Sequence, residues 1–446
     1  MKFYNRQEEL ELLEKTRKLS LEKSMMTFVV GRRRIGKTSL VLKAFRKQKF
    51  LYFFIARKNE TLLCNEFTEE IELVMKKRVL GEFRSFSKLF EYLLERSKGE
   101  AITLIIDEFQ EFYQSNPSVY SEMQKLWDQY KMDQDHEIPK MNLVLCGSVY
   151  SLMKKIFENA KEPLFGRADE KIHLKPFSVE ILKSIYMDHS GILDPEDFLA
   201  FYTLTGGVAK YVEIFVDKKC ITLEAMLDEI FRPNSLLLEE GKNILIEEFG
   251  KDYLTYFSIL SLIASGKTSR GEIESILEKD IGGYLNRLEK EYNIIQSIRP
   301  VFSKPGGKLV KYMIDDNFLA FWFRFVYKYR SAIEINNLEY VKQIVKRDYK
   351  TYSGIYLEKY YREVLSERKE YNIIGRYWDR KGENELDIVA VNQLENKALI
   401  AEVKRNKDKI NIKELRTKAS ILDQKFSSYE IIYESFTLDD VFSDKV

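Results

Sequence analysis

Residues 31–40 read Gly31-Arg-Arg-Arg-Ile-Gly36-Lys37-Thr38-Ser39-Leu40, a match to the pattern G-x-x-x-x-G-K-[ST]. Ahead of them stands Ser24-Met-Met-Thr-Phe-Val-Val30, an apolar run of strand length, and behind them Leu40, Val41, Ala44 and Phe45 recur at helical spacing. A strand, a glycine-rich turn and a helix in that order aim backbone N–H groups and the positive end of the helix at a bound phosphate. Gly31, Arg32, Arg33, Arg34, Ile35, Gly36, Lys37, Thr38 and Ser39 are therefore expected to cradle a nucleotide, ATP. Lys37 would sit on its β- and γ-phosphates, and the Thr38 hydroxyl would hold Mg²⁺. A glycine-rich turn without a ligand would carry the same letters but not the same neighbours.

A second strand, Ala101-Ile-Thr-Leu-Ile-Ile106, ends in Asp107-Glu108. An acid at the carboxyl end of a strand beside the phosphate loop is placed to hold the ion through water, which is the role expected of Asp107. Glu108 is expected to orient and deprotonate the attacking water. The alternative for Asp107 is a cap on the next helix. A third strand, Met141-Asn-Leu-Val-Leu-Cys146, runs into Gly147-Ser148, where a small polar side chain can touch the γ-phosphate or the water. Helical stretches at 66–77 and 86–96 fit between the strands, which predicts an α/β core with a parallel sheet.

Composition narrows the rest. A chain of 446 residues is long for one core, so two or three domains are expected. With 45% hydrophobic and 32% charged residues it has the mix of a globular protein. Lys and Arg number 72 against 70 Asp and Glu, so no global field announces a nucleic-acid or membrane partner. Cys64, Cys146 and Cys220 form no CxxC pair, and His136, His173 and His189 fall at no metal-ligand spacing, which argues against a zinc module or a disulfide framework. No apolar run approaches the ~20 residues of a membrane span. Residues 1–14 are polar and charged with no apolar leader core, so a cytoplasmic protein without a membrane partner is expected.

Phe3-Tyr-Asn-Arg6-Gln-Glu-Glu-Leu10, the phosphate loop, Leu104-Ile-Ile-Asp-Glu-Phe-Gln110 and Leu145-Cys-Gly-Ser148 together resemble the archaeal-type ATPase family, within the AAA+ and STAND-like P-loop NTPases. The resemblance runs to about residue 230. It implies that Arg6 lies near the adenine and that Ser148 occupies the sensor-1 position. It also implies that Pro163-Leu-Phe-Gly-Arg167 presents Arg167 as an arginine finger or γ-phosphate sensor, in cis or in trans; a structural salt bridge is the equal alternative for that side chain. Thr205-Gly-Gly-Val-Ala-Lys-Tyr211 looks like the sensor-2 region after a helical lid, with Ala209 where the family has proline.

From residue 252 the pattern changes. An apolar helix over 253–264, a helix opened by the capping box Ser269-Arg-Gly-Glu272, a third helix over 281–292 and strands at 294–298 and 308–314 around Pro305-Gly-Gly307 read as a winged helix. Such a domain can put its third helix in a DNA major groove. Arg287, Lys290, Arg299, Lys304, Lys308 and Lys311 against Glu289 and Glu291 give residues 281–312 a net charge of +4, which suits phosphate contact. Winged helices that only contact proteins are the competing case.

The aromatic stretch 316–327 reads as a helix packed on two sides. In the family it opens a region similar to the PD-(D/E)XK nuclease superfamily. Gly354-Ile-Tyr-Leu-Glu358 is placed at the start of a helix, and three strand-like runs follow at 373–378, 385–391 and 397–404 as an antiparallel meander. Alternation puts Asp387, Glu402 and Lys404 on one face. Two carboxylates beside a lysine can bind Mg²⁺, or Mn²⁺, and position a hydroxide for phosphodiester attack, with Glu358 completing the shell. Glu-x-Lys alone recurs everywhere in a chain this charged. Tyr377 and Trp378 are candidates to stack on bases or to pack in the core. Residues 351–446 carry 17 basic and 18 acidic side chains, so charge does not separate DNA from RNA there.

Four segments are thus expected: an ATPase core over 1–175, a helical lid over 176–249, a winged helix over 250–315 and a nuclease-like domain with a helical lead-in over 316–446. The functional expectation is an ATP-hydrolysing switch acting on nucleic acid, DNA ahead of RNA, with a metal-dependent nuclease site. The competing expectation is a regulatory ATPase scaffold whose C-terminal domain binds without cutting. A ring-forming motor ranks last, because no pore loop is present.

Overall fold

A computed structural model describes residues 1–132, 137–249, 253–304 and 306–443. The chain divides into two units, one of residues 5–175 and one of residues 1–4 with 176–446. His136 and Pro305 lie outside the described residues.

The unit 5–175 is built on five parallel strands: β1 (Met25–Val30), β2 (Leu51–Phe54), β3 (Ile102–Asp107), β4 (Met141–Cys146) and β5 (Glu170–His173). Every residue of β1 and β4 is buried, the signature of strands covered on both faces. Helix Lys37–Phe45 lies between β1 and β2, Glu60–Met75 and Phe86–Gly99 between β2 and β3, and Ser118–Met132 between β3 and β4; the Asn59 side chain caps Glu60–Met75. Aromatic stacking locks the layers, with Phe53 on Phe67 at 4.2 Å and Phe28 on Phe157 at 4.5 Å between ring centroids. The sheet order is β2-β3-β4-β1-β5. The strand bearing Asp107 is therefore not next to the strand of the phosphate loop. β4 is inserted between them, because it pairs with β1 through Met25–Val29 and with β3 through Ile102–Ile106.

In the second unit, helices Val179–His189, Pro195–Thr205, Ala209–Asp217, Leu223–Ile230 and Leu236–Phe249 come first. Asp194 caps the second of these ahead of Pro195, and Gly206 ends it in the left-handed conformation. Helix Tyr253–Ala264 matches its expected span, and Ser269 and Glu272 form the expected reciprocal cap on Arg270–Leu277. The third helix is shorter than its sequence suggested: Gly282–Asn286 is α-helical and Arg287–Glu291 widens into a π turn. Strands β6 (Ile295–Ile298) and β7 (Lys311–Ile314) pair antiparallel, with β7 starting three residues later than expected.

The aromatic stretch packs on all sides, as Phe318, Leu319, Phe321, Trp322, Phe323, Phe325 and Val326 are all buried. The Trp322 indole N–H donates to the Leu238 carbonyl at 2.8 Å. A Cβ on Gly241 would lie 2.3 Å from that indole, so only glycine fits there. A 31-residue helix, Leu338–Arg368, then carries Glu358 in its second half, not at its start. Strands β8 (Ile373–Trp378), β9 (Glu385–Asn392) and β10 (Lys397–Lys404) form the expected meander. Helix Ile412–Ala419 crosses to β11 (Glu430–Thr437), which is parallel to β10 and gives a mixed sheet in the order β11-β10-β9-β8.

Candidate functional site

The phosphate loop turns through left-handed backbone at Arg34 and Gly36, the latter at φ 94°. Gly31 is required for a different reason: a Cβ there would come 2.6 Å from the Leu174 carbonyl. The buried Lys37 ammonium lies across the loop, donating to the carbonyls of Gly31 at 2.8 Å and Arg32 at 3.0 Å. Next to it, Thr38 Oγ1 donates to Asp107 Oδ2 at 2.7 Å. Tyr52 on β2 donates to the same oxygen at 2.8 Å, and the Glu108 N–H donates to Oδ1 at 2.9 Å. Burial, and then the charge of Asp107, hold the Tyr52 phenol well above its ordinary range, so it stays a donor.

Glu108 sits at φ 54°. Its Oε2 accepts from Ser148 Oγ at 2.7 Å and from Gln110 Nε2 at 2.5 Å. The insertion of β4 explains the first of these, since the end of that strand delivers Ser148 alongside the acid pair. Arg6, also left-handed, is buried with its guanidinium on the Lys175 carbonyl at 2.6 Å and on Glu9 at 3.2 Å. Arg167 makes a two-pronged pair with Asp128, at 3.1 and 3.4 Å, and donates to the Phe165 carbonyl, the geometry of the salt-bridge alternative. Lys210, in the other unit, pairs with Glu213 at 2.7 Å. Tyr52 and Gln110 have no expected role, since a tyrosine in a four-residue strand and a glutamine in a short turn carry no spacing signal.

A second polar cluster lies in the C-terminal sheet. Asp387 is buried, and its Oδ2 accepts from the Val403 N–H at 2.9 Å and from Lys404 Nζ at 3.2 Å. Lys404 also lies 3.2 Å from Glu402, so it bridges the two carboxylates that alternation placed together. Glu358 does not join them. Its Oε2 faces Arg376 at 3.1 Å and Arg362 at 3.6 Å. Among the described residues no group of three or more His, Cys, Asp or Glu side chains could hold a metal ion. The three-carboxylate shell expected from the sequence is not assembled, because arginines from β8 and the long helix claim Glu358. Burial pushes the Glu358 carboxyl up, Arg376 pulls it down, and the charge of Asp387 adds to the rise. Trp378 is buried with Lys311 over its ring at 4.7 Å, and Tyr377 packs partly buried against the cluster that includes Leu386, Val389 and Ile400. Lys350, Lys404, Arg405, Asn406 and Lys409 line a cavity of about 630 Å³ into which Glu358 also faces.

Removing Arg376 leaves Glu358 near Asp387 with Arg362 as its nearest cation. Arg376→Ala is expected to cost about 3 kcal/mol, read as a lower urea midpoint, and Glu358→Gln in the same chain should recover part of the loss.

The loop, the acid pair and the strand order define a P-loop nucleoside triphosphatase. Residues 3–215 match an ATPase domain predominantly from Archaea, and residues 322–417 match a domain of archaeal and bacterial proteins of unknown function. An uncharacterized protein of Methanocaldococcus jannaschii is 30% identical over 415 residues, covering 90% of this chain and 87% of the relative. The chain belongs to this archaeal-type ATPase family. Among solved structures, a Walker-type ATPase of Pyrococcus abyssi superimposes with a TM-score of 0.52 at 19% identity, over 72% of this chain and 96% of its own. The ORC2 protein of Aeropyrum pernix, solved with ADPNP and ADP, gives 0.50 at 14% identity, over 78% and 96%. At these identities the likeness is one of fold. No described helix is long and apolar enough to cross a membrane.

Proposed function

We propose that this ATPase is a nucleotide-controlled switch whose second unit acts on nucleic acid, DNA ahead of RNA. The observation that carries the ATPase part is one connected network, Thr38–Asp107–Glu108–Ser148, joining the proposed ion ligands to the proposed base and sensor. Thr38 and Asp107 offer a hydroxyl and a carboxylate oxygen 2.7 Å apart, a donor set that fits a hard divalent cation such as Mg²⁺. Bound there, the ion would neutralise phosphate charge. Lys37 then leaves the loop carbonyls for the β- and γ-phosphates, Glu108 takes a proton from the attacking water, and Ser148 keeps that carboxylate in place. Arg6 is assigned to the adenine side, and Arg167 acts only by exchanging Asp128 for the γ-phosphate. ATP binding favours one arrangement of lid and following domains, and hydrolysis resets it.

Helices 253–264, 270–277 and 282–286 followed by the β6–β7 ribbon support reading residues 250–315 as a winged helix. Arg287, Lys290, Arg299, Lys304, Lys308 and Lys311 are the basic side chains proposed to meet phosphates, Lys290 and Lys311 by exchanging their present carboxylate partners. For the C-terminal domain the bridging of Asp387 and Glu402 by Lys404 favours a second reading, a nuclease-like module that binds without cutting. Purified protein is to be mixed with labelled single- and double-stranded DNA and RNA, in Mg²⁺ or Mn²⁺, with and without ATP, beside Glu402→Ala. Retention of DNA that differs between the ATP and ATP-free arms is the expected result. Products that vanish in Glu402→Ala make the domain a nuclease, whereas binding without products supports the second reading. Protein that hydrolyses ATP and retains no nucleic acid in any arm overturns the proposal.

A further inference from the structure

Glu108 is held by two donors, and Gln110 is the one with no assigned role. Gln110 is 1% exposed, in the short turn that follows β3. Its Nε2 faces two carboxylates, Glu108 at 2.5 Å and Glu111 at 3.4 Å. That pairing fixes which end of the amide is nitrogen, since the flipped amide would set a carbonyl oxygen against both acids. The other end, Oε1, is buried and has no hydrogen-bond partner among the described residues. A buried acceptor left unpaired costs stability, and an apolar side chain of the same shape would fill the space without it. What the amide contributes here is therefore its donor.

Gly147 independently shows that room is kept for this amide. A Cβ at 147 would lie 2.2 Å from Gln110 Oε1 and 2.4 Å from Met153 Sδ. Gly147 is not among the residues at positive φ, so its backbone does not demand glycine; the space does. Gly147 and Ser148 thus act as a pair, the first admitting the Gln110 amide and the second donating to the same Glu108 oxygen.

We propose that Gln110 is a positioning residue for ATP hydrolysis, which with Ser148 pins Glu108 by Oε2 and leaves Oε1 to take the proton of the attacking water. The proposal rests on Glu108 being the base. Steady-state ATPase kinetics and ATP binding are to be measured on the full chain for Gln110→Met, Gly147→Ala and Glu108→Gln, with thermal midpoints alongside. Gln110→Met and Gly147→Ala should each lower kcat about 10- to 100-fold, with KM and ATP affinity within a few-fold of the parent. A purely structural role would instead lower the midpoint and ATP affinity together with kcat, and that result overturns the proposal. Parental kcat in Gln110→Met beside an inactive Glu108→Gln overturns it while leaving Glu108 as base. An active Glu108→Gln removes the base reading and the proposal with it. If Gln110→Met does not fold, Gly147→Ala decides by the same criteria, since it displaces the amide without removing it.

Discussion

Lys37→Ala should weaken ATP binding by about 100-fold and bring hydrolysis to background. The ammonium is already placed at the mouth of the loop, 2.8 Å from the Gly31 carbonyl and 3.0 Å from that of Arg32. Turning from those carbonyls to phosphate oxygens exchanges neutral acceptors for charged ones, and charge-assisted hydrogen bonds contribute about 1.5–3 kcal/mol each. Two such bonds lost correspond to at least the stated factor. Titration calorimetry with ATP reads the affinity, and circular dichroism checks that the unit 5–175 still folds. The same variant tests the switch: nucleic-acid retention that keeps its full response to ATP in Lys37→Ala would falsify the coupling.

Glu108→Gln should leave ATP affinity nearly unchanged and slow hydrolysis by about 10²- to 10⁴-fold, the range expected when a positioned general base is removed. The substitution keeps the volume and the left-handed backbone at φ 54°, and it leaves Asp107 with its bonds to Thr38 and Tyr52. What it removes is the group that can accept a proton. Single-turnover hydrolysis, with binding measured separately, distinguishes this from a general collapse of the site. Equal losses in binding and turnover would reassign Glu108 to holding the site together.

The strands β1, β3 and β4 were legible in the sequence because near-complete burial forces runs that are apolar but for Thr27, Thr103, Asn142 and the Asp107 that ends β3, and the Ser269 cap was legible because its partners are three residues apart. β2 and β5 escaped because they are four residues each and, unlike β6 and β7, have no hairpin turn between them to mark them as strands. The insertion of β4 was hidden for another reason: hydrogen-bond order between strands is a non-local property, and nothing in the letters of β3 says which strand lies beside it. At the nucleotide site the residues of the motif were brought together, yet Tyr52 and Gln110, which orient the two acids, were not foreseen. In the C-terminal sheet, alternation correctly paired Asp387 with Glu402 and Lys404. Glu358, expected from the helix to complete their metal shell, instead faces Arg362 on its own helix and Arg376 on β8, the latter a tertiary contact that sequence spacing does not encode.

Helices Val179–His189 and Pro195–Thr205 share their unit with Asn317 and the long helix 338–368, and the bonds among them are specific. Tyr202 donates to Glu363 at 2.6 Å, Asn317 donates to the Tyr202 carbonyl, and the Val179 N–H at a helix start donates to Glu367 at 2.7 Å. During synthesis, residues 5–175 have every partner of their sheet on hand once β5 emerges. Helices Val179–His189 and Pro195–Thr205 do not, because residues 360–367 follow them by well over a hundred positions. At about 5–20 residues per second they wait on the order of ten seconds with apolar faces uncovered. On the ribosome this chain matures in two instalments, and the interval between them is when a chaperone has something to hold.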